Sequence, residues 1–208
     1  KGIVFHAKLG TQYERVERIE ALAGEIAEKI GADVVKAKRA ARLCKADLTT
    51  GVVGEFPELQ GVMGRYYALH DGEDVEVADA IRDHYKPLGP SDVVATSKAA
   101  ISLALADKLD TLSQFYFVEE RSTGSSDQYG LRRAALGCVR TILENNIRLS
   151  LDELFAEILS SRFPGSARFS SMSIDGETLT VDRLKNSITL LTYFIFDRLK
   201  VALRDKGT

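Results

Sequence analysis

The sequence has few cysteines and little net charge, and each shortage excludes a class of protein. Its 208 residues include only Cys44 and Cys138, which lie in apolar helical patterns and lack the spacing of metal ligands. We expect two reduced, buried thiols in a cytosolic protein. The formal net charge of −2 argues against a general polyanion binder. No apolar run is long enough to span a bilayer, and we find no leader with a cleavage site.

Motifs of several enzyme classes are also missing. The chain has no G-x-S-x-G nucleophile motif, no phosphate-binding G-x-x-x-x-G-K-[ST] and no G-x-G-x-x-G after a strand. We therefore expect no catalytic nucleophile and no ATP site in this segment. Internal repeats and β-type alternation over any useful length are missing as well, which leaves helical periodicity as the dominant pattern.

Helical signals run through the chain from its first residues. Thr11-x-x-Glu14 is a capping box, and the apolar stripe behind it continues to Gly31, a residue typical of a helix C-terminus. A further helix is predicted to begin at Pro57, because proline suits the first turn of a helix. A long central helix follows, and then a polar loop over residues 119–128. The sequence predicts an all-α protein.

The clearest break falls at residues 162–180, which contain a proline, two glycines and four serines. We place a domain boundary there. Residues 1–161 are predicted to form a helical bundle, and residues 162–208 a connector and C-terminal helix that lead to the next module.

The segment Lys45–Tyr67 combines an isolated aspartate with four closely spaced glycines, at positions 51, 54, 61 and 64. Glycine weakens a helix by about 1 kcal/mol at an interior position. This spacing indicates close approach of the backbone to protein or to a polyanion. A basic run precedes the segment, with Lys38, Arg42 and Lys45 on one helical face. A solvated helix face is the simpler interpretation of that run, and RNA contact is the alternative.

Four strings together resemble the beta subunit of the bacterial two-subunit glycyl-tRNA synthetase. They are FHAKLGT at Phe5–Thr11, EFPELQG at Glu55–Gly61, ALADKLDTL at Ala104–Leu112 and LRRAALG at Leu131–Gly137. Their order and spacing match from Lys1 to about Leu149, and the segment Phe194–Gly207 resembles the family again. Because that subunit is much longer, these 208 residues are expected to be an internal fragment.

The resemblance implies a role in a glycine–tRNA ligase of the cytoplasm. In that family the alpha subunit carries the class II active site, with its ATP and Mg, and the beta subunit supplies tRNA recognition. This segment would be an HD-domain-like helical bundle with a trailing helical linker. It would hold or position tRNA beside the alpha subunit and the remainder of beta, without a cofactor, metal or catalytic residue of its own.

HD phosphohydrolases hold divalent metals with histidines and carboxylates, which activate water and neutralise phosphate charge. By position the corresponding residues are His6, Asp47, His84 and Asp107, and Ala46 stands where the dyad histidine belongs. Alanine cannot bind a metal, so we expect a vestigial pocket. The two aspartates are expected to be paired or hydrogen-bonded, with Lys45, Lys108, Arg42 and Arg132 as candidate partners.

The dipeptide His70-Asp71 is a misleading match to the HD signature. Gly72 follows it at the end of a helical stripe, which is typical of a C-terminal turn. We predict a turn at this position.

Our first candidates for RNA contact are Arg132 and Arg133, which follow the polar loop. Arg42, Lys45 and Lys8 come next, each able to bind phosphate while neighbouring glycines allow close approach. An equal alternative for Arg132 is a structural pair with Asp107 or Asp110.

Three hypotheses follow from the sequence. The first is a non-catalytic tRNA-binding part of a glycine–tRNA ligase. The second is an active metal-dependent phosphohydrolase, and the third is an architectural domain that packs against other parts of the enzyme.

Overall fold

The computed structural model describes residues 2–120, 127–162, 171–174 and 177–205, and it describes side chains within these ranges except at 159–184 and 205. Helices dominate the described chain, which confirms the all-α class. The elements in chain order are β1 (Val4–His6), β2 (Gly10–Thr11), α1 (Gln12–Ile30), α2 (Val34–Leu43), α3 (Gly51–Glu55), α4 (Val62–His70), α5 (Val75–Asp83), α6 (Lys98–Phe117), α7 (Leu131–Glu144), α8 (Leu151–Arg162), β3 (Ser171–Ile174), β4 (Glu177–Thr180) and α9 (Val181–Asp205).

Helix α1 begins and ends as the sequence predicts. The Thr11 side chain accepts a hydrogen bond from the Glu14 backbone N–H, and the Glu14 carboxylate accepts one from the Thr11 backbone. Gly31 then ends the helix with a φ of 65°, in the left-handed region that glycine adopts at little cost. Helix α2 packs closely on α1 because its buried positions are alanines, Ala37, Ala40 and Ala41.

Helix α6 is the centre of the bundle. It packs against α1, α2, α5, α7, α8 and α9, so nearly every face of it is buried. Most of its residues are apolar, but Asp107, Lys108 and Asp110 are buried in its middle. Buried charges require partners, and these three residues therefore mark the part of the bundle where polar chemistry concentrates.

The prediction that a helix begins at Pro57 is wrong. Pro57–Leu59 forms only a short 3₁₀ turn, and α4 begins later, at Val62. The reason is Gly61, whose φ of 79° lies outside helical geometry and interrupts the chain between the two segments.

Two small antiparallel hairpins, β1–β2 and β3–β4, were not predicted because their strands are two to four residues long. Much of the predicted polar loop and connector, at residues 121–126, 163–170 and 175–176, lies outside the described residues. Helix α9 packs on α7 and α6. The division into residues 1–161 and 162–208 stays a prediction. Within the described residues, none of the helices has the length and apolar character needed to cross a membrane.

Candidate functional site

Ion pairs between α1 and α6 organise the polar centre of the bundle. Arg15 Nη2 lies 2.9 Å from Asp107 Oδ1, and one turn further Arg18 Nε lies 2.7 Å from Asp110 Oδ1. Burial alone would raise the pKa of Asp107, but the charges of Arg15 and Lys45 outweigh it and hold that pKa well below its usual range. Asp107 is therefore a permanent anion that ties helices together.

Lys45 is buried beside Asp107, with 6% of its surface exposed. Its Nζ lies 2.7 Å from His84 Nε2 and 3.3 Å from Asp107 Oδ2, and 4.0 Å from the centre of the Tyr85 ring. Burial would lower the pKa of Lys45, but the Asp107 carboxylate raises it above its ordinary value. The ammonium group thus occupies the space between two of the residues predicted to form the HD pocket.

His84 is held neutral by its surroundings. Its Nδ1 lies 2.6 Å from the Ile81 carbonyl oxygen, which can only accept, so Nδ1 carries the proton and Nε2 accepts from Lys45. Burial, and next the neighbouring Lys45 ammonium, lower the pKa of His84 well below its ordinary value. Both ring nitrogens are engaged, and neither is available as a metal ligand.

Asp47 faces backbone rather than a metal. It is 1% exposed, and its Oδ2 accepts hydrogen bonds from the N–H groups of Gly61 at 2.6 Å and Gly64 at 3.1 Å. These are donors at the start of α4, where a helix has no internal acceptors for them. A Cβ at Gly64 would lie 2.7 Å from Ile81 Cγ2, so this close approach requires glycine.

His6 lies at the end of β1, where its ring packs edge-on against Phe115 and Tyr129 at centroid distances of 5.3 and 5.6 Å. In the described part of the chain, no group of three or more His, Cys, Asp or Glu residues could hold a metal ion. The engaged nitrogens of His84 and the ammonium of Lys45 do not fit a divalent cation here. His70-Asp71 ends α4 in an exposed position before Gly72, whose φ is 81°, which confirms the predicted turn.

Three cations of the basic run on α2, Lys36, Arg39 and Arg42, have acidic partners. Lys36 Nζ lies 3.0 Å from Glu76, Arg39 Nε lies 3.0 Å from Glu73, and Arg42 lies 3.4 Å from Glu20. Arg42 also donates to the Tyr13 hydroxyl at 2.8 Å. Lys8 Nζ lies 3.0 Å from Glu120. RNA contact by Arg42 and Lys8 stays a prediction.

Arg132 and Arg133 open helix α7. The Asp127 carboxylate accepts from the Arg132 backbone N–H at 3.0 Å and the Arg133 backbone N–H at 3.4 Å, which fixes the start of the helix. The Arg133 side chain is 67% exposed and its Nε lies 3.4 Å from Asp127. Asp107 and Asp110 pair with Arg15 and Arg18 of α1. Among the described contacts, the predicted alternative, a pair of Arg132 with either acid, is not formed.

Two neighbouring pockets meet at Arg133. The first, which we call the arginine pocket, has a volume of about 130 Å³ and contains Arg132, Arg133, Arg140 and Arg198, with no acid among its described lining residues. The second, the lysine pocket, has a volume of about 380 Å³ and contains Arg15, Lys45, Lys108, Arg133 and one acid, Asp107. Both also include Pro87 and Leu88, so they form one continuous basic groove.

Sequence reasoning assigned Arg15 no role, and it assigned Lys108 only that of a candidate partner for the aspartates. Lys108 Nζ donates to the carbonyl oxygens of His84 at 2.9 Å and Lys86 at 2.8 Å, and burial lowers its pKa. A lysine inside an apolar helix is a signal that could have been used, because lysine is almost never buried without a reason. Arg15 carries no such signal, since its stretch of α1 is rich in charge.

Comparisons with known proteins agree over the whole chain. A family model described as glycyl-tRNA synthetase beta subunit matches residues 1–208. Similar curated proteins are the glycine–tRNA ligase beta subunits of Rhodospirillum centenum, 52% identical over 99% of this chain, and Paracoccus denitrificans, 48% identical over 100%. That of Phenylobacterium zucineum is 58% identical over 76%. The chain spans about a quarter of their length, 27%, 27% and 24% respectively.

Proposed function

We propose, because the chain belongs to the glycyl-tRNA synthetase beta subunit family, that it is a tRNA-holding part of a glycine–tRNA ligase. In this proposal the alpha subunit carries out aminoacylation with ATP, and this segment binds the tRNA that receives glycine. The names of the relatives support the ligase, and their greater length supports the view that other modules share the work.

The observation that carries the proposal is the basic groove formed by the arginine and lysine pockets. Side chains from α1, α6, α7 and α9 converge there, although the chain as a whole is slightly acidic. Arginine and lysine bind the phosphates of RNA, and such contacts position a nucleic acid without reading its sequence. We infer that the groove grips the tRNA backbone and that other modules identify the tRNA.

The geometry of the former metal position supports a binding role rather than catalysis. Lys45 supplies the positive charge between His84 and Asp107 that a metal would supply in a hydrolase. An ammonium group cannot lower the pKa of a bound water as a divalent metal does. The active phosphohydrolase hypothesis therefore has no support from these residues.

The test is charge reversal at the mouth of the groove. Arg132→Glu with Arg133→Glu, made in the assembled two-subunit enzyme, should weaken tRNA binding at least about tenfold, since an arginine bound to phosphate forms a charge-assisted hydrogen bond. The variant should also flatten the decline of affinity with salt, by about one unit of slope for each phosphate that is no longer neutralised. Filter binding at several salt concentrations measures both quantities.

A matched control keeps the change in charge and moves it away from the groove. Arg148→Glu with Lys185→Glu alters two exposed cations that line neither pocket. This variant should bind tRNA within about twofold of the original enzyme, because surface charges beyond a Debye length are screened. Equal tRNA affinity in both folded double variants would contradict the proposal.

An architectural role is a second candidate, supported by apolar side chains on the glycine-rich segment. Val52, Phe56, Val62 and Tyr66 are exposed there. Exposed apolar groups of this kind are found where proteins contact one another. Phe56→Ser with Tyr66→Ser should weaken association with the alpha subunit if this face is the contact, and gel filtration of the mixed subunits measures it.

A further inference from the structure

The lysine pocket contains more positive than negative charge. Arg15, Lys45 and Lys108 converge on it from three parts of the chain, and Asp107 is the one carboxylate in its described lining. Adding the adjacent pair of Arg18 and Asp110 contributes one charge of each sign. The count is four cations to two anions, an excess of two positive charges at the centre of the domain.

The excess cannot be relieved by the groups already in contact. Lys108, which is 7% exposed, donates only to two neutral carbonyl oxygens. Lys45 and Arg15 share the carboxylate of Asp107, and Arg15 also lies 3.9 Å from Asp110, which already pairs with Arg18. The other partners of Lys45 are the neutral rings of His84 and Tyr85. Buried cations without counter-charges are costly, so an anion that enters the pocket is strongly favoured.

The pocket has the size and the surfaces for a nucleotide. Its volume of about 380 Å³ lies in the range of small-molecule sites, roughly 300–1,000 Å³. The rings of Tyr85 and Tyr129 and the apolar side chain of Leu88 contribute to its lining, beside the cations. Aromatic rings stack with bases of any sequence, and lysine and arginine bind phosphate. Arg133 lies at the exposed rim, on the route from the arginine pocket.

We propose that the lysine pocket receives one nucleotide of the bound tRNA, with its phosphate group among Lys45, Lys108 and Arg133. The base then lies against the tyrosine rings. The inference rests on the proposed function, since tRNA is the molecule that supplies the nucleotide. It goes further because it assigns an anionic ligand to the cavity beside Lys45, the residue that stands between His84 and Asp107.

The first experiment places a negative charge in the pocket. Ala134 contributes to its lining, so Ala134→Glu provides an internal anion, and Ala134→Gln has the same shape without the charge. The probe is adenosine 5′-monophosphate, titrated into the complete beta subunit by calorimetry, with adenosine at matched ionic strength. We expect one site per subunit, with the nucleotide binding about tenfold or more tighter than adenosine.

The matched pair then separates charge from bulk. Ala134→Glu should weaken binding of the monophosphate about tenfold or more relative to Ala134→Gln, because a like charge repels the ligand phosphate. Arg133→Gln at the exposed rim should weaken it several-fold, and Arg148→Gln, outside the pocket, should leave it unchanged. Equal binding of the monophosphate and adenosine, or full binding in Ala134→Glu, would overturn the inference.

The second experiment uses the same Ala134 pair in the assembled enzyme and measures tRNA affinity. A larger decrease for glutamate than for glutamine supports a nucleotide of tRNA as the occupant. Loss of monophosphate binding with unchanged tRNA affinity would assign the pocket to a free nucleotide and overturn the inference. If the Arg132 and Arg133 reversal weakens tRNA binding while no monophosphate binds, the proposed function stands and the pocket assignment fails.

Discussion

The basic run on α2 and the basic groove at α7 carry similar positive charge in the sequence but differ in the folded protein. On α2, Lys36 and Arg39 each face a carboxylate at the surface. In the groove, Arg133, Arg140 and Arg198 also have acidic neighbours, at Asp127, Glu144 and Asp197, but the buried Lys108 faces only carbonyl oxygens. What attracts a polyanion is charge that the fold leaves uncompensated, and a count of basic residues along the chain does not reveal it.

The largest expected difference between the two regions is in stability. Lys45→Met leaves His84 and Asp107 without the buried ammonium and should lower the free energy of unfolding by about 3 kcal/mol, as removal of one buried partner does. Arg39→Gln breaks an ion pair in which the arginine side chain is 52% exposed, and it should cost about 0.5 kcal/mol or less. Urea unfolding of the chain measures both variants.

Equal decreases in the two variants would contradict the comparison, because the interior pair would then be worth no more than the surface pair. Circular dichroism of each variant in the absence of urea controls for a change in helical content before unfolding.

A smaller effect is expected from pH, and near neutrality we expect it from His84 in the interior cluster. The pKa of His84 is lowered in the folded state. Below about pH 6.5, the pKa of a histidine in an unfolded chain, the unfolded protein therefore binds more protons than the folded one. The free energy of unfolding should therefore be constant above about pH 6.5 and should decrease as the pH falls further, by up to about 1.4 kcal/mol per pH unit. Urea unfolding at pH 7.5, 6.0 and 5.0 measures the slope.

The control for this pH dependence is His84→Asn, which should show a flatter profile over the same window. Asp107 does not contribute there, since its stabilisation is lost only below the pKa of an unfolded aspartate, about 3.9. If the unfolding free energy of His84→Asn changed with pH as steeply as that of the original protein, groups other than His84 would be responsible for the pH dependence.

The smallest effects are expected when a single arginine is replaced by uncharged glutamine and the affinity for tRNA is measured. Arg42→Gln on α2 should change the affinity less than about twofold, because Glu20 and Tyr13 already occupy this guanidinium. Arg133→Gln should weaken it by roughly three- to tenfold, because one charge-assisted hydrogen bond to phosphate is removed. A larger effect for Arg42 than for Arg133 would contradict the assignment of the RNA to the groove.

Local signals in the sequence were enough for the helical architecture. The Thr11–Glu14 capping box and Gly31 gave the limits of α1, because caps depend on neighbours three or four residues away. Gly61 was harder to interpret, since a glycine can continue a 3₁₀ turn or break it with a positive φ. Only the contact with Asp47 decides between these outcomes.

The site was less predictable because its contacts join distant parts of the chain. Asp107 and Asp47 were found by resemblance, and Lys45 was among the partners expected for them. The ion pair of Arg15 with Asp107, and the backbone donors to Asp47, could not be read from spacing. Arg15 meets Asp107 across 92 positions, and Lys45 meets His84 across 39. Lys45 also follows directly on the basic run of α2, so its sequence neighbours suggest a surface that its side chain does not share.

The hydrogen bonds from Gly61 and Gly64 to Asp47 have a consequence for the segment between them. They hold the two ends of the loop formed by residues 48–60 together. The position of this loop therefore does not depend on which side chains lie on its exposed surface. Changes in length are inexpensive in such a loop, because closure entropy grows only slowly with the number of residues. The outer side, with Val52 and Phe56, can therefore diverge between related enzymes to suit different neighbours while α4 keeps its place.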